Sequence, residues 1–265
     1  MKDFSPRNLR KTILDMAYAG STVHVPCAFS LVEIVSAAYG KFLNTGKNPS
    51  DPNRDYFILS KGHGVMAVYS CLKELGWLTN DEVKNYFKDG TKLKGLSDAH
   101  VPGLEVTSGS LGHGLSVAAG MALGLKLKKS NQKVFCVVGD GESNEGTIWE
   151  ALLFAAHWKL NNLIVIFDCN GFQAMGRTED VLNLNSMHDK LKAFNFETVS
   201  VDGHSVSELD QTLNNLLNSK SSLPKAIIAN TIKGKGVSFM ESKNEWHYTR
   251  LTESTYQAAL KELGY

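Results

Sequence analysis

The apolar positions of this chain change period along its length, and the changes outline a fold. From Leu9 to Ala19 they recur with helical spacing, with Pro6 suited to a first turn and Gly20 to a stop. Ser30 to Leu43 reads as a second helix, and Tyr56 to Leu59 as a short strand leading into SKGHG and another helical stretch. Thr79 followed by Glu82 is a capping-box signature for a short surface helix. Residues 89 to 110 are rich in glycine and lack a period; an irregular stretch of that size inside a compact domain is more often functional than idle. From Leu111 the alternation becomes regular: a helix (about 111 to 129), strand KVFCVV, the turn GDG, a helix (about 144 to 159) and strand LIVIF. The loop DCNGFQAMG follows, then a helix near 187 to 194 and strand FETVSV. Ser205 and Glu208 cap one more helix, and KAIIANT is the last strand. KVFCVV after its leading Lys133, and LIVIF throughout, are apolar without alternation, so both of their faces must be covered. The expected fold is α/β, a parallel β-sheet with helices on both faces, in one domain over residues 1–265. Ligands of such sheets sit past the carboxyl ends of the strands, where GDG, DCNG and NTIKGKG all fall.

Composition narrows the class. Hydrophobic residues make up 43% of the 265 and charged ones 21%, and 28 Lys and Arg against 27 Asp and Glu leave a net charge of +1. Near-neutrality argues against gripping nucleic acid or an anionic membrane; Lys126, Lys128 and Lys129 read as the solvated end of a helix. Cys27, Cys71, Cys136 and Cys169 form no CxxC pair and have no metal-type spacing, and Cys71 and Cys136 sit in core-like patterns. With no signal-like start and no long apolar run, a reducing cytoplasm is the expected compartment.

The chemistry concentrates at the strand ends. Glycines in GDGE let the backbone approach a phosphate, and a helix amino terminus beyond them would favour negative charge. Asp140 complicates that picture, because a carboxylate aimed at a phosphate repels it unless a divalent cation lies between. Asn170, in the loop after the next strand, offers a second oxygen. Asp140, Asn170 and a carbonyl near Phe172, completed by two diphosphate oxygens and a water, would make an all-oxygen octahedron. That set suits magnesium, with calcium a possible substitute. The competing account makes Asp140 a helix cap and Asn170 a turn residue; their placement after two adjacent strands favours the metal.

The run GDGESNEGTIWEALLFAAHWKLNNLIVIFDCNGFQAMGRTED resembles the thiamin-diphosphate motif of transketolases nearly residue by residue. HVPCAFSLVEI is similar to the family's HPGGSLSAVDI, DYFILSKGHG to RDRFVLSKGHA, PGLEVTSGSLGHGLS to PGVEVTTGSLGQGLS, and KAIIANTIKGKGVSFME to KxIIAxTxKGKGVSFME. The resemblance implies thiamin diphosphate as cofactor, with Asp140, Asn170 and the Phe172 carbonyl as magnesium ligands. It places Gly109, Leu111 and Gly141 against the diphosphate and thiazolium, and gives the diphosphate His63 and Lys233. His24 and His247 would line the substrate channel, with His247 also near the cofactor. Glu145 would meet the partner chain and relay protons between active sites. The match stops where the family's pyrimidine-binding domain begins. The implied arrangement is therefore the amino-terminal subunit of a split transketolase, paired with a chain carrying the pyrimidine-binding and carboxy-terminal domains, in an α2β2 assembly acting on sugars or sugar phosphates. His157, His188 and His204 lack such support and read as surface or packing residues; Trp149 and Trp158 read as interface or core.

Departures from the family pattern bear on substrate. GLSDAHVPG stands where the family has GHPExxxPG, so Leu96 occupies the position of a histidine that hydrogen-bonds the donor's hydroxyls, with His100 a candidate to compensate. Pro26 and Cys27 replace two glycines near His24, and Tyr248, with Arg250 nearby, follows His247 in place of glycine. A modified sugar is the expected substrate. Two-carbon transfer starting from a 2-oxo acid, and a non-catalytic subunit on the same fold, are the rival readings; a dinucleotide dehydrogenase fails for want of an early GxGxxG.

Overall fold

A computed structural model describes residues 4–265. Its sheet has five parallel strands: β1 (Tyr56–Leu59), β2 (Val134–Gly139), β3 (Leu163–Cys169), β6 (Glu197–Asp202) and β7 (Lys225–Asn230), in the order β1-β2-β3-β7-β6. A small antiparallel hairpin, β4 (Phe172–Gln173) and β5 (Gly176–Arg177), follows β3. The helices are α1 (Pro6–Ala19), α2 (Val25–Phe29), α3 (Val32–Ala37), α4 (Val65–Leu75), α5 (Asn80–Lys84), α6 (His113–Leu127), α7 (Gly146–His157), α8 (Thr178–Leu182), α9 (Met187–Ala193), α10 (Val206–Leu217) and α11 (Glu253–Glu262). None of them is long and apolar enough to cross a membrane.

The two unbroken apolar strands are explained by what covers them. Phe135, Val137, Ile164 and Ile166 join a core built with α1, α3 and α4, while Cys136, Val138, Val165 and Phe167 join a separate core under α6 and α7. Successive side chains thus point into opposite cores, and every residue of β2 is buried. The four cysteines are free, with Cys27, Cys71 and Cys136 buried.

Several expected boundaries move. The helix expected over Ser30 to Leu43 begins earlier and is broken: α2 starts at Val25 with proline in its first turn, a turn intervenes at Ser30 and Leu31, and after α3 the chain ends in a π-helical turn, Ala38–Phe42. The Ser30 hydroxyl is turned inward to Asp168, 2.6 Å away. The helix expected from about 144 begins at Gly146; a 3₁₀ turn, Gly141–Asn144, separates it from Asp140. Asp140 therefore caps the 3₁₀ turn through the Gly141 N–H, not the amino terminus of α7. The hairpin β4–β5 and helices α8 and α11 were not anticipated. Residues 89 to 110 do form an irregular stretch.

Candidate active site

β1, β2, β3 and β7 run parallel with matched ends, so their carboxyl-terminal loops emerge together. These loops enclose a cavity of about 630 Å³ lined by His24, Lys61, His63, Gly109, Leu111, Asp140, Gly141, Glu145, Asn170, Phe172 and His247, among others. That volume lies in the usual range for a cofactor or small-molecule site. Each residue that the resemblance assigns to metal, cofactor, channel or partner lines this cavity except Lys233.

Asp140 is held by peptide groups. Its Oδ1 accepts from the Gly141 N–H at 2.8 Å and its Oδ2 from the Gly171 N–H at 2.6 Å, which ties the GDG loop to the loop after β3. Burial, and then the neighbouring Asp168 charge, raises its pKa to about 6. Asn170 is buried; its Oδ1 accepts from the Phe172 N–H at 3.0 Å and its Nδ2 donates to Asp168 Oδ2 at 3.3 Å. Among the described residues, no group of three or more His, Cys, Asp or Glu is placed to hold a metal. A cation here would have Asp140 as its charged ligand, with amide and carbonyl oxygens making up the protein's share. Those hard, neutral donors suit magnesium or calcium, and a buried carboxylate with a raised pKa is one that a cation would favour. The residues fit the metal the sequence suggested.

The glycines mark close approaches. A Cβ on Gly141 would lie 2.6 Å from the Gln173 Cβ, and one on Gly109 would lie 2.8 Å from the Leu96 Cδ1. Glu142, one residue past Gly141, binds three loops together: Oε1 accepts from the Ser60 hydroxyl at 2.5 Å and the Gly112 N–H at 2.9 Å, and Oε2 accepts from the Gly139 N–H at 3.0 Å.

At the other side of the cavity three imidazoles converge. The ring centroids of His24 and His63 are 5.3 Å apart, those of His24 and His247 5.1 Å, and those of His63 and His247 5.9 Å. Burial, helped by the charges of Lys233 and Lys61, lowers the pKa of His24 to about 4 and of His247 to about 3. Burial, with Lys61 and the other histidines, holds His63 well below the usual value. All three are neutral near pH 7 and act as hydrogen-bonding groups without charge. Lys233 is buried behind this cluster and does not line the cavity; its Nζ lies 2.9 Å from His247 Nδ1. Its hydrogen-bond partners are His247 and Asn244.

Leu96 lines the cavity and is 43% exposed. His100 does not compensate for it: its ring is exposed, bonded to Asp98 at 2.7 Å, and outside the cavity lining. Tyr248 is at the mouth, its ring 4.6 Å from that of His247, whereas Arg250 turns away to the Ser21 carbonyl. Glu145 is exposed at the rim. His204 is more than a packing residue, since its Nδ1 bonds Glu33 at 2.9 Å and its Nε2 accepts from the Ile232 N–H at 2.8 Å. Trp149 is tied to the Ser143 carbonyl, and Trp158 is exposed.

The residues sequence reading missed are Lys61, Asp168 and Glu142. Lys61, on the cavity wall, and Asp168 behind it form a buried ion pair of 2.6 Å. The available signal was their place at the ends of apolar strands, where a lone charge needs a partner.

The family model "Transketolase, thiamine diphosphate binding domain" matches residues 7–265. The chain belongs to the transketolase family. It is 38% identical, over 96% of its length and 92% of the relative's, to a subunit of the apulose-4-phosphate transketolase of Actinobacillus succinogenes. It is 36% identical, over 96% and 93%, to the 6-deoxy-6-sulfo-D-fructose transketolase subunit SqwG of a Clostridium species. Its fold superposes on the transketolase of Campylobacter jejuni with a TM-score of 0.90 at 29% identity, covering 98% of this chain and 42% of that one. This transketolase-family chain thus corresponds to the thiamin-diphosphate-binding part of the larger enzyme, and in length to relatives named as single subunits.

Proposed function

We propose that this chain is the diphosphate-binding subunit of a split transketolase, moving a two-carbon ketol unit from a ketose donor to an aldose acceptor. The observation that carries the reading is the convergence of Asp140, Asn170 and Phe172 on one wall of a cavity whose opposite wall holds three neutral histidines. Asp140, Asn170 and the Phe172 carbonyl would hold magnesium against the diphosphate, with Gly141, Gly109 and Leu111 giving it close approach. When bound, thiamin diphosphate supplies a nucleophilic carbon and an electron sink for the two-carbon fragment. His24 and His247 orient sugar hydroxyls and exchange protons with them, and His63 offers the diphosphate a hydrogen bond, all without adding charge to the site. Lys233, the donor to His247 Nδ1, leaves Nε2–H of that ring free to donate. Glu145, at the rim, would meet the partner and pass protons across the interface.

The pyrimidine-binding and carboxy-terminal domains belong to a second polypeptide in this reading, giving an α2β2 enzyme in a reducing cytoplasm. Support comes from the relatives named as subunits, which match nearly end to end, and from four unpaired cysteines. The substrate is a modified sugar or sugar phosphate: Leu96 cannot hydrogen-bond a donor hydroxyl, Tyr248 crowds the mouth, and two relatives carry the names of uncommon sugars. Purified chain alone, chain with partner, and each with EDTA, assayed for ketol transfer over a sugar panel, test the proposal. Activity is expected only from the magnesium-loaded pair. Transfer by the single chain, or a best rate with xylulose 5-phosphate and ribose 5-phosphate, would overturn the corresponding part.

A further inference from the structure

We propose that Asp168 is a positioning residue that fixes which end of the Asn170 side-chain amide faces the cation held with Asp140. This rests on the metal reading above and concerns how the protein prepares that site.

Asp168 is fully buried at the end of β3, and four side chains from four parts of the chain donate to it. Ser30 Oγ and Lys61 Nζ reach its Oδ2 at 2.6 Å each, Thr231 Oγ1 bonds its Oδ1, and Asn170 Nδ2 donates to Oδ2 at 3.3 Å. A carboxylate paired with a lysine can only accept, so the Asn170 end that faces it must be the NH₂. The Phe172 N–H, which can only donate, faces the other end, at 3.0 Å from Oδ1. Both neighbours select the same orientation, and Asp168 does so with a full negative charge. A flipped amide would set its NH₂ against the Phe172 N–H and leave no oxygen on that side for a cation. Residues behind a ligand commonly set its orientation, and their loss typically weakens metal affinity by about 10–100-fold.

Lys61 lets the carboxylate sit there. An unpaired buried charge is strongly unfavourable, whereas the 2.6 Å pair with three further donors is satisfied. Ser30 and Thr231 bring the α2–α3 turn and the end of β7 to the same point, so the amide is held against a frame shared by three loops of the site.

The test compares Mn²⁺ affinity, followed by electron paramagnetic resonance with thiamin diphosphate present, on the chain reconstituted with its partner. Lys61→Met and Asp168→Leu are made together, so that neither charge of the buried pair is left without its counter-ion. Against the unsubstituted protein this double variant is expected to raise the Mn²⁺ dissociation constant by about 10–100-fold with a cooperative melt retained. Adding Asn170→Asp as well is expected to restore affinity, because a carboxylate presents oxygen at both ends and needs no orienting partner. In the unsubstituted protein the same Asn170→Asp change is expected to weaken Mn²⁺ binding, since it sets a second carboxylate against Asp168. Equal affinity in the double variant and the unsubstituted protein, or tighter binding by Asn170→Asp alone, would overturn the role of Asp168. Absence of Mn²⁺ binding by the unsubstituted protein would instead remove the metal reading itself. Should the double variant fail to fold, the sign of the Asn170→Asp effect decides the matter.

Discussion

Lys233 Nζ lies 2.9 Å from His247 Nδ1, and Lys233 itself is sealed from the cavity. The lysine therefore acts on the site through the imidazole, both by fixing its tautomer and by discouraging its protonation. Burial is the larger cause of the low His247 pKa of about 3, with Lys233 second. Lys233→Met should accordingly move the His247 titration midpoint upward while leaving it below 6.5, as read by NMR of the ring protons.

The same groups set a pH dependence of stability. His24 and His247 bind protons in the unfolded chain near pH 6.5 but in the folded chain only near 4 and 3. A depressed folded pKa means stability is present above the unfolded value and is lost as pH falls toward the folded one. Melting temperature should drop between pH 6.5 and 4, and His247→Gln should flatten that slope. An unchanged slope would place the histidines in a wetter setting than the structure gives them.

Asp140→Asn exchanges one acceptor for a donor facing a peptide N–H and removes the charged ligand. Thiamin diphosphate with magnesium at a hundredfold excess over its dissociation constant should stabilise the unsubstituted protein by about 2.7 kcal/mol. The variant should show almost none of this in a thermal-shift titration. An undiminished shift would mean that the cofactor is held without this carboxylate.

Leu96 packs beside Gly109 on the cavity wall and offers a sugar only methyl groups. Leu96→His should restore a hydrogen bond to an unmodified ketose donor, worth about 1.4 kcal/mol, or roughly tenfold in kcat/KM. The preferred modified donor should lose by comparison. Competition kinetics with paired donors would detect the change.

Glu142 accepts three hydrogen bonds in a buried setting, from Ser60, Gly112 and Gly139. Glutamine keeps one carbonyl oxygen and turns an NH₂ toward a donor, so Glu142→Gln should cost about 1–3 kcal/mol in urea unfolding. Ser60→Ala, which removes one donor and leaves the carboxylate two others, should cost less.

Much of the sheet was legible because the runs VFCVV of β2 and LIVIF of β3 have no polar position, and only a doubly covered strand tolerates that. The loops after them could be assigned to the site for the same reason, since parallel strands bring those ends together. What escaped was whatever lacks a local period. The two-residue strands of the hairpin at Phe172 and Arg177 are too short to show one. Helix α11 opens on Thr252 paired with Thr255, without the Glu or Gln that usually marks such a start. The Lys61–Asp168 pair joins residues 107 apart, so the sequence shows two stray charges and not their meeting. Lys233 was placed in the correct loop, but the direction of its side chain depends on packing behind His247.

His24 carries its ring on a backbone at φ 69°, in the left-handed region that non-glycine residues occupy at a cost of about 1–3 kcal/mol. Truncating this residue therefore removes two different things depending on the replacement. His24→Ala deletes the imidazole and keeps the twist under tension; His24→Gly deletes the same imidazole and lets the chain relax. The glycine form should melt higher than the alanine form while lacking the ring equally. The gap between the two, together with the roughly 0.4–1 kcal/mol that glycine gives back to the unfolded chain, reports how much folding free energy this chain commits to aiming one side chain at its substrate.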